Sequence, residues 1–388
     1  VDARASADDP GWSHVGALPD ECEIDVAAHP DRVLAPWVWE AGCGDGCRRW
    51  GNTANLVDVY QSDGGPIAIL IGETPPGAED PWRYTVFAGL DTSVAVLALR
   101  DRANRRPAEG VPFCRIDTGG AGAAGFAVAA TFYDFDVSGE VIERSWMTVL
   151  RADLPDVHDS FRGLYVRDDW GTRSVRRMVV SPTHVGAIFG SRVPVLVGND
   201  GSYVVPGSGT DDGANSIENI AFVGSSDLLW ESRRSPDVLV RSANGAAPVL
   251  LRAVDGGDVR GFATDGRDLA WLEGLDLDPI TRQYGSVSLW TAGHDAAGLV
   301  SPRRVADVRG AMGGALGGGY YVHAEVAAGD PEHAVFAFYR LADGARAEFD
   351  PVDLPAARVF WVSATDSVVE AFGQRYRVDP RALGFVAP

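Results

Sequence analysis

The sequence predicts an all-β chain, a β-propeller of about seven four-stranded blades whose ring is closed by N- and C-terminal strands. Three observations carry that expectation. Apolar alternating segments recur in pairs around Asp-Gly or Asn-Gly, the pairs return at a near-constant interval, and helical periodicity is nearly absent. A chain of 388 residues with a 46% hydrophobic fraction has the length and composition to bury a core of this kind.

The hairpins come first. Segments 56–70, 193–205, 237–251 and 334–349 each place an apolar strand on either side of Asp-Gly or Asn-Gly. These dipeptides favour type I′ turns because both central residues need positive φ. Segment 286–300 is a looser copy, with Gly293 and His294 expected at its turn. The turn glycines Gly201, Gly245, Gly293 and Gly344 stand 44, 48 and 51 residues apart. From Gly64 to Gly201 is 137 residues, room for degenerate copies near 110 and 155.

Between the hairpins lies a second unit, a strand, a polar break and an aromatic-rich strand, at 83–99, 176–190, 218–232, 260–274 and 357–373. Two strands from each unit give four per period of roughly 46 residues, the content of one propeller blade. The C-terminal stretch 357–380 supplies two strands without a following Asp-Gly hairpin, and the hairpin at 56–72 lacks a preceding pair. Their union in one sheet would close the ring and remove open edges. An eighth blade stays open if VLAPWVWE (33–40) starts one. The domain expectation is an N-terminal arm over 1–32 and a propeller over 33–388.

Phe262, Asp265, Gly266, Leu269, Ala270, Trp271, Leu289 and Trp290 match much of a pattern that reads roughly F-S-P-D-G-x-x-I-A-[WF] and, after a loop, L-[WY]-x-x-x-x-[DN]-G. In this the chain resembles the WD40-like (PD40) repeats of TolB-type bacterial propellers. The likeness is fullest over 261–295, looser over 219–245, and faint before residue 170. The resemblance implies a fold and brings no function with it.

The formal charge is −20, and all 34 basic residues are arginine, which GC-rich codon usage explains. An acidic excess repels phosphate backbones, so nucleic acid is not an expected partner. No run of apolar residues is long enough for a membrane span, and residues 1–10 lack the apolar core of a signal peptide. Any export signal would already be gone, and a lipid anchor stays open. The cysteines Cys22, Cys43, Cys47 and Cys114 are even in number and fit two disulfides in an oxidising compartment. Cys43 with Cys47, and Cys22 with Cys114, is the pairing expected. A zinc site on Cys43 and Cys47 lacks a second close pair or a nearby histidine. The location expected is extracellular, periplasmic or the outer cell surface.

No catalytic constellation is legible. G-x-S-x-G is absent and the seven histidines are scattered. Fifty-four acidic residues make the presence of a carboxylate pair uninformative. The Asp-box S-x-D-x-G-x-x-W is missing, and GSSDLLW (224–230) has the wrong spacing. Asp134, Asp136, Ser138 and Gly139 open like a calcium loop, since alternating oxygens can fold around a hard cation. Glu143, the candidate terminal ligand, is two positions early for an EF-hand, and a polar turn explains the segment equally. LDLDP (275–279) is a weaker version. GAMGGALGGGYY (310–321) lacks the Lys-Ser/Thr of a phosphate loop and fits close backbone packing instead. Calcium is the one cofactor the sequence suggests.

The expected function is a non-catalytic binding or scaffold module for a protein or glycan partner at the propeller rim or channel mouth. The alternative is a polysaccharide-acting hydrolase or lyase with its site at the channel mouth.

Overall fold

A computed structural model describes residues 39–50, 175–189, 216–233, 237–281, 283–310, 313–327, 330–350, 357–371 and 373–387, and elsewhere the strands named below. The chain is all-β and of propeller type. Every strand pair among the described residues is antiparallel, and consecutive strands meander through each sheet. Two compact units divide the chain, one built mainly from 52–208 and the other from 38–51, 209–244 and 248–388.

In the first unit, one sheet runs Asn55–Ser62, Gly65–Glu73, Trp82–Gly89 and Ser93–Arg100, with Ile24–Asp25 added at its outer edge. A second runs Phe113–Gly122, Gly125–Tyr133, Trp146–Ala152 and Arg162–Val166, with Trp12–Val15 added. A third runs Val175–Val180, His184–Phe189, Val193–Gly198 and Tyr203–Val204, with Arg4–Ala5 added.

The second unit holds four blades, lettered here A to D. Blade A comprises Ser216–Val223, Asp227–Arg233, Val238–Ala243 and Val249–Arg252. Blade B comprises Gly257–Thr264, Asp268–Leu277, Tyr284–Asp295 and Gly298–Val308. Blade C comprises Gly314–Gly317, Tyr320–Ala327, Asp330–Arg340 and Arg346–Phe349. Blade D joins Ala357–Val362, Ser367–Ala371 and Gln374–Val378 to Cys47–Trp50 and then Trp39–Glu40. The first strand of each blade lies against the first strand of the next.

These findings correct the expected architecture. The blades are not uniformly four-stranded, and the expected count of seven such blades closed by the termini does not stand. The hairpin at 56–72 does not wait for a C-terminal pair, because Ile67 to Glu73 already pair with Arg83 to Gly89 in its own sheet. That hairpin is therefore the first half of a blade, where the repeat reading took it for the second. The C-terminal strands pair instead with Cys47–Trp50, through Tyr376↔Arg49 and Val378↔Cys47. Trp39 and Glu40 extend that sheet and open no further blade. The degenerate copies expected near 110 and 155 form halves of one sheet.

Local chemistry explains the hairpins. Asn244 and Gly245 take φ of 48° and 72°, two left-handed residues in the turn that follows Val238–Ala243, within a longer connection than a two-residue hairpin, since Arg241 pairs with Val249. Asp265 Oδ1 accepts from the Arg267 and Asp268 amides, closing the first hairpin of blade B. A hydroxyl does similar work at the matching position of three hairpins. Ser181 Oγ accepts from His184 N–H at 2.9 Å, Thr264 Oγ1 from Gly266 N–H at 3.0 Å, and Ser363 Oγ from Asp366 N–H at 3.1 Å. Such short-range bonds offer the backbone a turn in place of continued strand. The turn expected at Gly293-His294 lies elsewhere. Asp295 pairs with Gly298, so both residues stay within the strand.

The core of the second unit sits between blades. Leu229 and Leu239 of blade A meet Phe262, Leu269 and Trp271 of blade B. Leu272 and Leu289 of blade B meet Tyr321, Ala337 and Tyr339 of blade C. Phe336 and Phe338 of blade C meet Val362, Val369 and Tyr376 of blade D. Burying each such large side chain stabilises by about 1.5–3 kcal/mol. The glycine run also fits close packing. A Cβ on Gly317 would collide with the Val362 carbonyl oxygen, so only glycine lets these first strands approach.

Candidate functional site

Among the described residues, a group of buried ionisable side chains surrounds a β-bulge on the first strand of blade B. Register slips between Arg260 and Ala263, and Gly261 takes φ of 57°. A bulge releases backbone groups from the ladder, and buried ones must find other partners. Both neighbouring blades supply them. Gly261 N–H donates to Glu231 Oε2 of blade A at 3.0 Å, and Gly261 C=O accepts from Tyr321 O–H of blade C at 2.6 Å. Asn219 Nδ2 of blade A donates to the Phe262 carbonyl at 2.6 Å.

Beside this bulge lies a charged cluster between blades A and B. Arg260 Nε stands 2.8 Å from Asp237 Oδ2, and its guanidinium lies over the Tyr284 ring. Asp258 accepts from the Asp237 amide at 2.7 Å and from Tyr284 O–H at 2.6 Å. Arg252 of blade A bonds Glu273 of blade B at 2.7 Å, and Trp271 Nε1 donates to the same oxygen at 2.8 Å.

A second cluster fills the face of blade C that meets blade B. Glu325 is buried and accepts from five donors. His323 Nε2 lies at 2.9 Å, the Arg309 amide at 3.2 Å, and Arg346 reaches Oε2 through Nη2 at 2.5 Å and Nε at 3.2 Å. Tyr339 O–H supplies the fifth bond.

Electrostatics separates the two glutamates. Burial pushes the Glu231 carboxyl from its ordinary 4.5 up to about 7; nearby Asp237 adds to the rise, while the Gly261 amide, Arg233 and Arg260 oppose it. Burial also acts on Glu325, but bonds from His323, Tyr339 and Arg346 outweigh it and hold the carboxyl down at about 2. Asp237 is raised by burial, with Arg260 opposing. His294, an intermediate strand residue, is lowered by desolvation and by Arg241.

Chemically, these groups tie blades together. Glu231, Asn219, Asp237 and Arg252 of blade A, and Tyr321 of blade C, each spend a bond on blade B. Among the described residues no three His, Cys, Asp or Glu side chains come together as a metal site. Asp134, Asp136, Ser138 and Glu143 lie outside the described residues, as does Cys22, and nothing is described of the Cys114 side chain. Cys43 and Cys47 form a disulfide, with Cα atoms 5.4 Å apart.

Sequence reasoning missed the buried glutamates, although a signal was present. Glu231, Glu273, Glu325 and Glu370 recur on the second strand of every blade of this unit, inside LLWES, AWLEG, HAEVA and VVEAF. An acid within an apolar strand predicts burial with a partner. Glu231, Glu273 and Glu325 are buried with partners, and half-buried Glu370 pairs with Arg375 of the next strand in its own sheet at 2.7 Å.

No protein-family model matches the chain, so the TolB-type likeness of its repeats gains no family assignment. No curated protein matches it either. Among solved structures, it is similar to the tricorn protease at 12% identity and a TM-score of 0.48, over 89% of this chain and 35% of that one. It is similar to human WBSCR16 at 12% identity and a TM-score of 0.46, over 88% and 94% of the two chains. It is also similar to YCF48 from Cyanidioschyzon merolae at 10% identity and a TM-score of 0.41, over 87% and 99%. This chain thus spans about a third of the length of the tricorn protease. Likenesses this distant assign no activity.

Proposed function

We propose that this chain is a non-catalytic binding or scaffold module for a protein or glycan partner, working outside the cytoplasm. One observation carries the reading. The buried carboxylates Glu231, Glu273 and Glu325 of the second unit each accept bonds that tie strands or blades together, and a carboxylate held by five donors, as Glu325 is, has no freedom to move a proton. A rigid stack of blades displaying its loops and edges is the arrangement such ties favour. The Cys43–Cys47 disulfide supports an oxidising compartment. Among the described residues no helix is long and apolar enough to cross a membrane.

The alternative, a polysaccharide-acting hydrolase or lyase, draws on Glu231. Its carboxyl titrates near 7, where a general acid is useful, and among the described residues its only hydrogen bond is to Gly261. The two readings separate in one experiment. The purified chain is screened on glycan and peptide arrays for binding, and the same ligands are followed for reducing-end or amine release. Retention without release supports the module. Release that disappears in Glu231→Gln would establish the enzyme.

A further inference from the structure

A small covalent loop holds one end of an exposed strap. Cys43 and Cys47 bridge Gly44-Asp45-Gly46, and the two glycines take φ of 105° and 70°. Glycine loses more freedom on ordering than any other residue, so a loop this rich in it does not keep one shape unaided. The bridge supplies the constraint. It fixes the Gly46 carbonyl where it accepts the Asp379 N–H at 2.9 Å, and it seats Gly46 so close to Ala382 that a Cβ would collide there.

From that anchor, residues 379–386 run from blade D to blade C. A short 3-10 turn, Pro380–Ala382, is capped by Asp379, whose carboxylate accepts from Arg381. Leu383 and Phe385 pack against the core shared by the two blades, and Phe385 lies against Tyr320 and beneath the Arg340 guanidinium. At the far end, Val386 and Arg346 of blade C exchange both backbone bonds, at 2.9 and 2.8 Å. Of residues 380–387 only Pro380 is buried. Among the described residues, the strap's hydrogen bonds to the blades are those at Gly46 and Arg346.

The two sulfurs are not equally placed. Cys47 lies in the core at 6% exposure, while Cys43 is half-buried between exposed Gly42 and Gly44. We propose that Cys43–Cys47 is a redox switch that holds the strap down when oxidised and frees residues 379–386 when reduced. The reductant is an external dithiol. Its thiolate attacks Cys43 Sγ, the Cys43–Cys47 bond breaks, and Cys47 leaves as a thiolate that takes up a proton. The second thiol of the reductant then displaces Cys43 from the mixed disulfide. Two electrons and two protons thereby pass to the chain, and the dithiol becomes a disulfide. Accessible disulfides are the more readily reduced, and a short loop gains least from closure. The freed glycine loop no longer presents the Gly46 carbonyl, and opening bares the outer strand of blade C at Arg346.

The test treats the full chain with dithiothreitol under native conditions and follows amide exchange by residue. Reduction is expected to strip protection from Arg346, Asp379 and Val386, while Phe338 and Val369 in the blade interiors stay protected. Oxidised dithiothreitol restores the three amides. Trypsin added to the native chain should cut after exposed Arg381 at least about tenfold faster once the bridge is open. The Cys43→Ser, Cys47→Ser double variant should show the open pattern with and without dithiothreitol, which separates this bridge from Cys22 and Cys114. A bridge that dithiothreitol opens only in denaturant overturns the proposal. So does protection of the three amides that survives reduction, or that falls no further than at Phe338 and Val369, because the bridge then serves stability alone. A double variant whose strap still responds to dithiothreitol overturns it too, since the switch then lies at other cysteines.

Discussion

Replacing Glu231 with glutamine removes a charge that the fold resists, and the consequence depends on pH. The unfolded carboxyl titrates near 4.5 and the folded one near 7, so between those values the folded chain holds an extra proton. Stability therefore falls as pH rises through this window, and the full cost of ionising a buried group is present above 7. A displacement from 4.5 to about 7 corresponds to about 3 kcal/mol. The substituted side-chain amide keeps an oxygen to accept the Gly261 N–H and never ionises. Its own packing cost is independent of pH and cancels when two pH values are compared. Urea unfolding of both proteins at about pH 5 and about pH 8 should show the variant gaining about 2–3 kcal/mol over wild type between them. A difference that does not change with pH would refute the placement of Glu231. A variant losing ground at about pH 8 would reverse the argument.

Glu325 should behave in the opposite sense. Its folded value of about 2 against 4.5 unfolded supplies about 3 kcal/mol above pH 4.5, lost as pH falls toward 2. Glu325→Gln should accordingly be less stable than wild type at neutral pH, with the gap closing in acid titrations of unfolding. Gly261→Ala forces a Cβ into the left-handed region at the bulge and should cost about 1–2 kcal/mol in urea unfolding. The Cys43→Ser, Cys47→Ser double variant opens a short loop and should lose about 2 kcal/mol, the difference vanishing when wild type is unfolded under reducing conditions.

The sequence disclosed hairpins better than it disclosed their phase. Asn244-Gly245 and Asp265-Gly266 are legible because their turns demand particular residues, and those residues stand where the turns form. Phase was lost at 56–99, where both strand pairs look alike and no residue distinguishes the first half of a blade from the second. The bulges were silent for a related reason. They recur on first strands, after Ile217, Arg260 and Val359 among others, but the residues they displace share no chemistry. A bulge is specified by what receives its freed backbone groups, and those receivers, Glu231 and Tyr321, lie on other blades. The added strands at 4–5, 12–15 and 24–25 are too short to leave an alternating pattern. The glutamates at 231, 273 and 325 were visible as letters, but their burial depends on blade-to-blade packing that no local period encodes.

Polar side chains couple blades A, B and C into one cooperative body. Native-state amide exchange, resolved by residue in wild type and Glu325→Gln, tests that most directly. Val240, Gly261 and Ala324 should exchange with a common opening free energy, and the substitution should lower all three together. Faster exchange confined to Ala324 and its own sheet, with blades A and B unchanged, would contradict the coupling.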